Sequence, residues 1–100
     1  MPHYIIHCLD QPDALPRRLE HYDAHRAYLQ TAPEKTSVKM LVSGPLMSDD
    51  GETMIGSCFL VEAEDRAAVE AFNAADPFHK AGIWASIHIH RFNKRVDNRG

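Results

Sequence analysis

Hydrophobic and polar positions along this chain follow two periods. Alternation every second residue predicts strands, and recurrence every three or four predicts helices. Residues 3–9 are rich in β-branched and aromatic side chains and end at Asp10-Gln11-Pro12. They predict a strand with Tyr4, Ile6 and Cys8 on one face and His3, Ile5 and His7 on the other. Leu15, Leu19, Tyr22 and Leu29 then recur at helical spacing. Asp13 is the expected N-cap and Pro16 falls in the first turn; the helix should stop near Ala32, before a turn at Pro33-Glu34-Lys35. His25 sits on one shoulder of this apolar stripe and Arg26 within its other half. Thr36 to Val42 reads as a second strand, with Val38, Met40 and Val42 alternating against Lys39, Leu41 and Ser43, and Gly44-Pro45 ending or bending it.

Met47 to Glu52 is a polar loop. Met54 to Ala63 is nearly continuous apolar sequence broken by Gly56-Ser57, the pattern of a central strand buried on both faces. Asp65 is placed to cap a second helix whose buried stripe is Ala68, Val69, Phe72 and Ala75. Asp76 follows Phe72 by four residues, on nearly the same face, and Pro77 stops the helix. Phe78 to Gly82 makes a short helical turn. The last strand, Trp84 to Phe92, turns Ala85, Ile87 and Ile89 one way and Trp84, Ser86, His88, His90 and Phe92 the other. Asn93 to Gly100 is a polar tail.

The order is βαββαβ. Right-handed crossovers put both helices on one face of an antiparallel sheet, the ferredoxin-like α+β arrangement, with the first and last strands side by side in the middle region. At 100 residues one domain, 1–100, is expected, its polar tail starting at about residue 94, with no room for a separate cofactor domain. A net charge of −3 and a pI near 6.1 argue against nucleic acid, which needs a basic face. The N-terminus has no signal-peptide pattern and no apolar run reaches membrane-spanning length, so a cytoplasmic protein is expected. Cys8 and Cys58 fit no metal or CxxC spacing and read as buried free thiols.

The chemistry concentrates on two residues. Asp76 is a carboxylate at the end of a buried stripe, costly unless paired. His25 is the best partner, because both helices lie on the same sheet face. A carboxylate there fixes the imidazole tautomer and stabilises imidazolium, the arrangement of a general base. The competing interpretations are a structural pair, or an exposed aspartate ahead of a proline. His21 and His25 form an HxxxH pair able to bind metal, but the HExxH glutamate is missing, and no metal is assigned. Gly44, Pro45 and Ser57 lie at small-residue breaks, where a backbone can approach a ligand.

Four motifs in order carry a family resemblance: Ala24-His25-Arg26-Ala27-Tyr28-Leu29; Leu41-Val42-Ser43-Gly44-Pro45-Leu46; Gly56-Ser57 followed by Leu60-Val61-Glu62-Ala63; and Ala75-Asp76-Pro77-Phe78 with Ala81-Gly82. From about residue 3 to 94 the chain resembles the YCII-related (YciI-like) family. The resemblance implies a ferredoxin-like domain of the dimeric α/β-barrel group and a site centred on a histidine–aspartate pair, here His25 and Asp76. It also implies kinship with a dehydrochlorinase acting on a chlorinated hydroxyquinol. One departure is local. The family often has Arg-Pro-x-His where this chain has Tyr22-Asp23-Ala24-His25, so an arginine able to bind an anionic group is replaced by Tyr22. Arg18 and Arg26 are the nearby cations that could substitute, neither at the matching position.

The expectation is therefore a small enzyme without a cofactor. His25 would act as general base or acid and Asp76 as its orienter, in an elimination or isomerisation of a small cyclic or phenolic molecule. Tyr22, Gly44, Pro45, Ser57 and Phe78 would line the pocket. The alternatives are a non-enzymatic ligand-binding or accessory domain of the same fold, and a metal-dependent activity through His21 and His25. His3, Ile5, His7, Trp84, His88, His90 and Phe92 should share the sheet face away from the helices. So apolar a face predicts a homodimer, weakening as the histidines take up protons.

Overall fold

The computed structural model describes residues 1–99, apart from the side chains at 33–35; Gly100, the end of the expected tail, lies outside the described residues. The elements are β1 (His3–Asp10), α1 (Leu15–Lys35), β2 (Lys39–Met47), β3 (Met54–Glu62), α2 (Arg66–Ala74), α3 (Pro77–Lys80) and β4 (Trp84–Phe92). The sheet is antiparallel throughout, in the order β2-β3-β1-β4. β4 is thus beside β1, as expected, but at the edge; the two central strands are β1 and β3. This is the ferredoxin-like α+β fold.

Alternation along β1 divides the molecule. Tyr4, Ile6 and Cys8 are buried under the helices with Phe59 and Val61 of β3, Val69 and Phe72 of α2, and Phe78 of α3. His3, Ile5 and His7 turn to the other face, where they register with Phe92, His90 and His88. β3 is buried only on the helix side, since Cys58 and Leu60 are half-buried on the far side. Burial pushes the Cys8 thiol up to about 12, so at neutral pH it is a small apolar core group and not a nucleophile.

Two bulges shift side chains that simple alternation places elsewhere. Leu9 pairs with Ser86 but Asp10 pairs with Trp84, leaving Ala85 as the extra residue. Trp84 therefore turns into the core, edge-on to Phe59 and Phe78, and not onto the far face. In β2, Met40 pairs with Val61 and Val42 with Leu60, so Leu41 is extra and Val42 is turned outward. β2 nonetheless runs through Gly44-Pro45 to Met47, because an edge strand tolerates a missing N–H on its open side.

Helix boundaries also differ in detail. Asp13 adopts a left-handed backbone (φ 59°) and does not cap α1; Ala14 is the N-cap residue, without a side-chain bond. α1 continues past Pro33 to Lys35, where the Thr36 N–H and hydroxyl both bond the Ala32 carbonyl at 2.8 Å. Asp65 caps α2 as expected, accepting from Ala68 N–H at 2.9 Å. Along α2 the buried positions are Val69, Phe72 and Asn73, and Ala75 is exposed.

Gly56 faces Leu9 across the β1–β3 ladder, and a Cβ there would run into the Cys8 carbonyl oxygen and meet Leu46 Cδ1 at 3.0 Å. The Cys8 carbonyl is backbone of a central strand and cannot move aside as a side-chain end can. Gly56→Ala is expected to destabilise by about 1–3 kcal/mol, as overpacking does, and a thermal melt of the variant checks it.

Candidate active site between α1, α3 and the sheet

α1 inverts the usual division of a surface helix. Its most buried positions among those described are Ala14 at its N-cap, then Arg18, His25 and Ala32, while Leu19 is 57% exposed and Tyr22 is exposed as well. Arg18, His25 and Ala32 follow one another at seven-residue spacing, and Tyr28 and Leu29 pack against the core beside them, so the stripe facing the core is polar at its centre. Such burial is tolerated only if each polar side chain finds a partner, and Arg18 and His25 both do.

Arg18, 2% exposed, makes a forked pair with Asp10: Nε to Oδ2 and Nη2 to Oδ1, both at 2.8 Å. Nη2 also donates to Ser57 Oγ at 2.9 Å. His25 Nδ1 lies 2.7 Å from Asp76 Oδ1. Asp76 is 1% exposed and is the N-cap of α3, where the same Oδ1 accepts the Phe78 N–H at 2.9 Å. It belongs to the start of α3 and not to the last turn of α2. Its Oδ2 is buried with no partner among the described residues. The carboxylate as acceptor puts the proton on Nδ1 and leaves Nε2 as the basic nitrogen of neutral His25.

Phe78 fixes the plane of the imidazole. The two rings stack with centroids 3.9 Å apart and 5° between planes. The Arg18 guanidinium carbon lies 4.8 Å from the same ring's centroid. Arg18 and His25 stand two helical turns apart, roughly 10 Å along the axis, and the ring joins them. Nearby, the Tyr28 hydroxyl donates to the Phe72 carbonyl at 2.7 Å. Its pKa is raised, first by burial and then by the Asp76 charge.

A cavity of about 290 Å³ opens beside this cluster. α1 supplies Arg18, Tyr22, His25 and Arg26, and the sheet supplies Gly44, Pro45, Ser57 and Phe59. Of the residues singled out in the sequence, His25, Tyr22, Gly44, Pro45 and Ser57 thus meet around one space. Asp76 lies behind His25, and Phe78, fully buried, supports the imidazole without lining the cavity. The forked Arg18–Asp10 pair is what sequence reasoning misses. Its only signals are an arginine seven residues before His25 and an aspartate at the end of a strand. Arg26 reaches toward Tyr22, 5.6 Å from its ring centroid, so a cation does stand beside the position where the family often has arginine.

A larger cavity, about 540 Å³, lies on the opposite sheet face between Ile5, Val42, Leu60 and Phe92 and the tail residues Lys94 and 96–99. The tail is thus set against the sheet at its rim. This cavity contains neither His25 nor Asp76. Among the described residues no three His, Cys, Asp or Glu side chains converge as a metal site, and no helix is long and apolar enough to cross a membrane.

A family profile described as a YCII-related domain matches residues 2–93. Protein YciI of Escherichia coli is 30% identical over 96 residues, covering 91% of this chain and 96% of that protein. An uncharacterized protein of Haemophilus influenzae is 28% identical over 97 residues, 92% of this chain and 97% of its own length. Among solved structures, the 5-chloro-2-hydroxyhydroquinone dehydrochlorinase of Burkholderia phenoliruptrix, in complex with 2,5-dihydroxybenzoquinone, superposes with a TM-score of 0.79 at 34% identity, over 91% of this chain and 93% of that one. A NIPSNAP domain protein of Burkholderia xenovorans, at 16% identity, a TM-score of 0.51 and 93% of each chain, shares the fold alone.

Proposed function

Because this chain belongs to the YCII-related family, we propose that it is a cofactor-independent enzyme in which His25 moves a proton on a small cyclic or phenolic molecule and Asp76 orients and charges the imidazole. The observation that carries this reading is the 2.7 Å contact of His25 Nδ1 with a buried carboxylate, at the edge of a cavity that His25 itself lines. A base so placed is held by bonds on one side and open on the other. In the keto tautomer of a hydroxylated ring, the carbon that bears the leaving group has taken up a proton and is tetrahedral. His25 then removes a second hydroxyl proton, and that electron pair passes through the intervening double bond to expel the leaving group as an anion and form a quinone. An elimination of that kind balances with no external oxidant or reductant. The likeness to the dehydrochlorinase supports this class of substrate.

Tyr22, Gly44, Pro45 and Ser57 surround the substrate in this reading, and Phe78 keeps the imidazole plane aligned. The test is chloride release from 5-chloro-2-hydroxyhydroquinone, followed with an ion-selective electrode beside a His25→Ala control. Release that depends on His25 is the expected result. Release equal in both proteins removes the assignment, and no release with tight binding of 2,5-dihydroxybenzoquinone favours the non-enzymatic ligand-binding alternative.

The reading includes a homodimer through the far sheet face. His3, Ile5, His7, His88, His90 and Phe92 share that face by register, and a two-fold contact would cover it. Sedimentation at pH 8 should give a dimer, with dissociation increasing toward pH 5 as imidazoles gain like charges. A monomer at pH 8 removes the dimer, and equal tightness at pH 5 removes the histidine contribution.

A further inference from the structure

We propose that Ser57, oriented by Arg18, is the hydrogen-bond donor of this site and selects a ring that carries an oxygen acceptor across from the atom presented to His25. This inference rests on the proposed function and adds to it the second polar end of the substrate.

The direction of the Ser57 hydroxyl follows from its partner. Arg18 Nη2 donates to Ser57 Oγ at 2.9 Å, and a guanidinium has no acceptor, so the hydroxyl proton cannot return to it. Among the described residues no other group accepts that proton, and Ser57 lines the cavity that His25 lines. The chain of donors therefore runs one way: from Arg18 to Ser57, and from Ser57 into the cavity. Arg18 is held against rotation by the forked bond to Asp10, which takes Nε and the other Nη2 proton. Nη1 has no hydrogen-bond partner among the described residues and is not fully buried, and Arg18 lines the same space.

Charge sets the ligand class. Asp10 neutralises Arg18, so the Ser57 end of the cavity offers aligned donors with no net positive charge; the unmatched cation of this space, Arg26, stands at the Tyr22 side. At the Ser57 end a phenol or quinone oxygen suits the donors better than a carboxylate or phosphate, whose burial needs an unmatched cation. Distance sets the size. Arg18 and His25 are seven residues apart on α1, about 10 Å of helix rise, and Ser57 is bonded to Arg18. Donor and base therefore stand toward different ends of the cavity both line, and its volume of about 290 Å³ has room for one six-membered ring between them.

The test compares hydroquinone with phenol, which differ only in the oxygen across the ring, by NMR titration of the full chain. The wild type should prefer hydroquinone by about 10-fold, the contribution of one hydrogen bond. Ser57→Ala should bind both alike, and Ser57→Thr should restore the preference. Arg18→Lys, a change at a positioning residue, should reduce the preference ratio; if it does not fold, the two Ser57 variants decide alone. A ratio unchanged in Ser57→Ala overturns the inference, as does a wild type that binds neither ring. A Ser57-dependent ratio in a protein that releases no chloride upholds this inference while the enzymatic reading fails. Turnover with a ratio indifferent to Ser57 does the reverse.

Discussion

Asp76→Asn is expected to leave the fold in place and to lower turnover by about 10²–10⁴-fold, the usual worth of a positioned acid–base group. The amide is nearly isosteric, and its oxygen can still accept the Phe78 N–H that begins α3. What changes is the partner of His25. The present carboxylate accepts from Nδ1–H and matches the charge of an imidazolium. An amide that turns its NH₂ toward Nδ1 moves the imidazole proton to Nε2, the nitrogen required as base. With its oxygen toward Nδ1 it keeps the tautomer but loses the charge. Either way the proton-transfer step loses its driving force. Far-UV circular dichroism and a melt would report the fold, and steady-state rates the chemistry. His25→Ala should lose a similar factor, and the double variant little more than either single, because the pair acts as one unit. Wild-type rates in Asp76→Asn would make the pair structural.

The largest loss of stability is expected from Asp10→Ala. Asp10 and Arg18 are 6% and 2% exposed at their side chains. Removing the carboxylate strands a guanidinium under the helix layer, with Ser57 as its one remaining hydrogen-bond partner among the described residues and no counter-charge. Breaking a buried pair from one side typically costs about 3–5 kcal/mol. For a chain of this size that lowers the melting temperature by upwards of about 10 °C. Replacing both ends at once, Asp10→Leu with Arg18→Met, removes the stranded charge and should melt closer to the wild type than the single variant. A single variant within about 2 °C of the wild type would mean that water reaches Arg18 and that the pair is not sealed.

The fold was legible because alternation and helical spacing are local signals. β1, α2 and the βαββαβ order can be read from neighbouring residues alone. The errors arise where one residue is inserted into a ladder. A bulge at Ala85 turns Trp84 inward and one at Leu41 turns Val42 outward, and no local pattern announces either. α1 misleads for a different reason. Its leucines suggest the buried face, yet the face toward the core carries Arg18 and His25, each made tolerable by a partner on another element: Asp10 at the end of β1 for Arg18, with Ser57 39 residues on as a further acceptor, and Asp76, 51 residues on, for His25. Asp76 could be singled out because a carboxylate before a proline ends an apolar stripe. The burial of Arg18 could not, since a charged residue early in a helix ordinarily faces water.

The groups around the cavity differ sharply in how much of the structure depends on them. His25, Asp76, Arg18 and Ser57 are buried and bonded to one another or to their supports, whereas Tyr22, Arg26, Gln30, Ser43, Gly44 and Pro45 line or rim the same space from exposed positions. Exchanges at exposed sites usually alter stability by no more than about 0.5 kcal/mol. The rim can therefore drift, or be randomised in a library, while the buried His25–Asp76 and Arg18–Asp10 pairs stay intact. A scaffold divided this way can change what its cavity accepts one rim residue at a time without passing through an unfolded intermediate sequence.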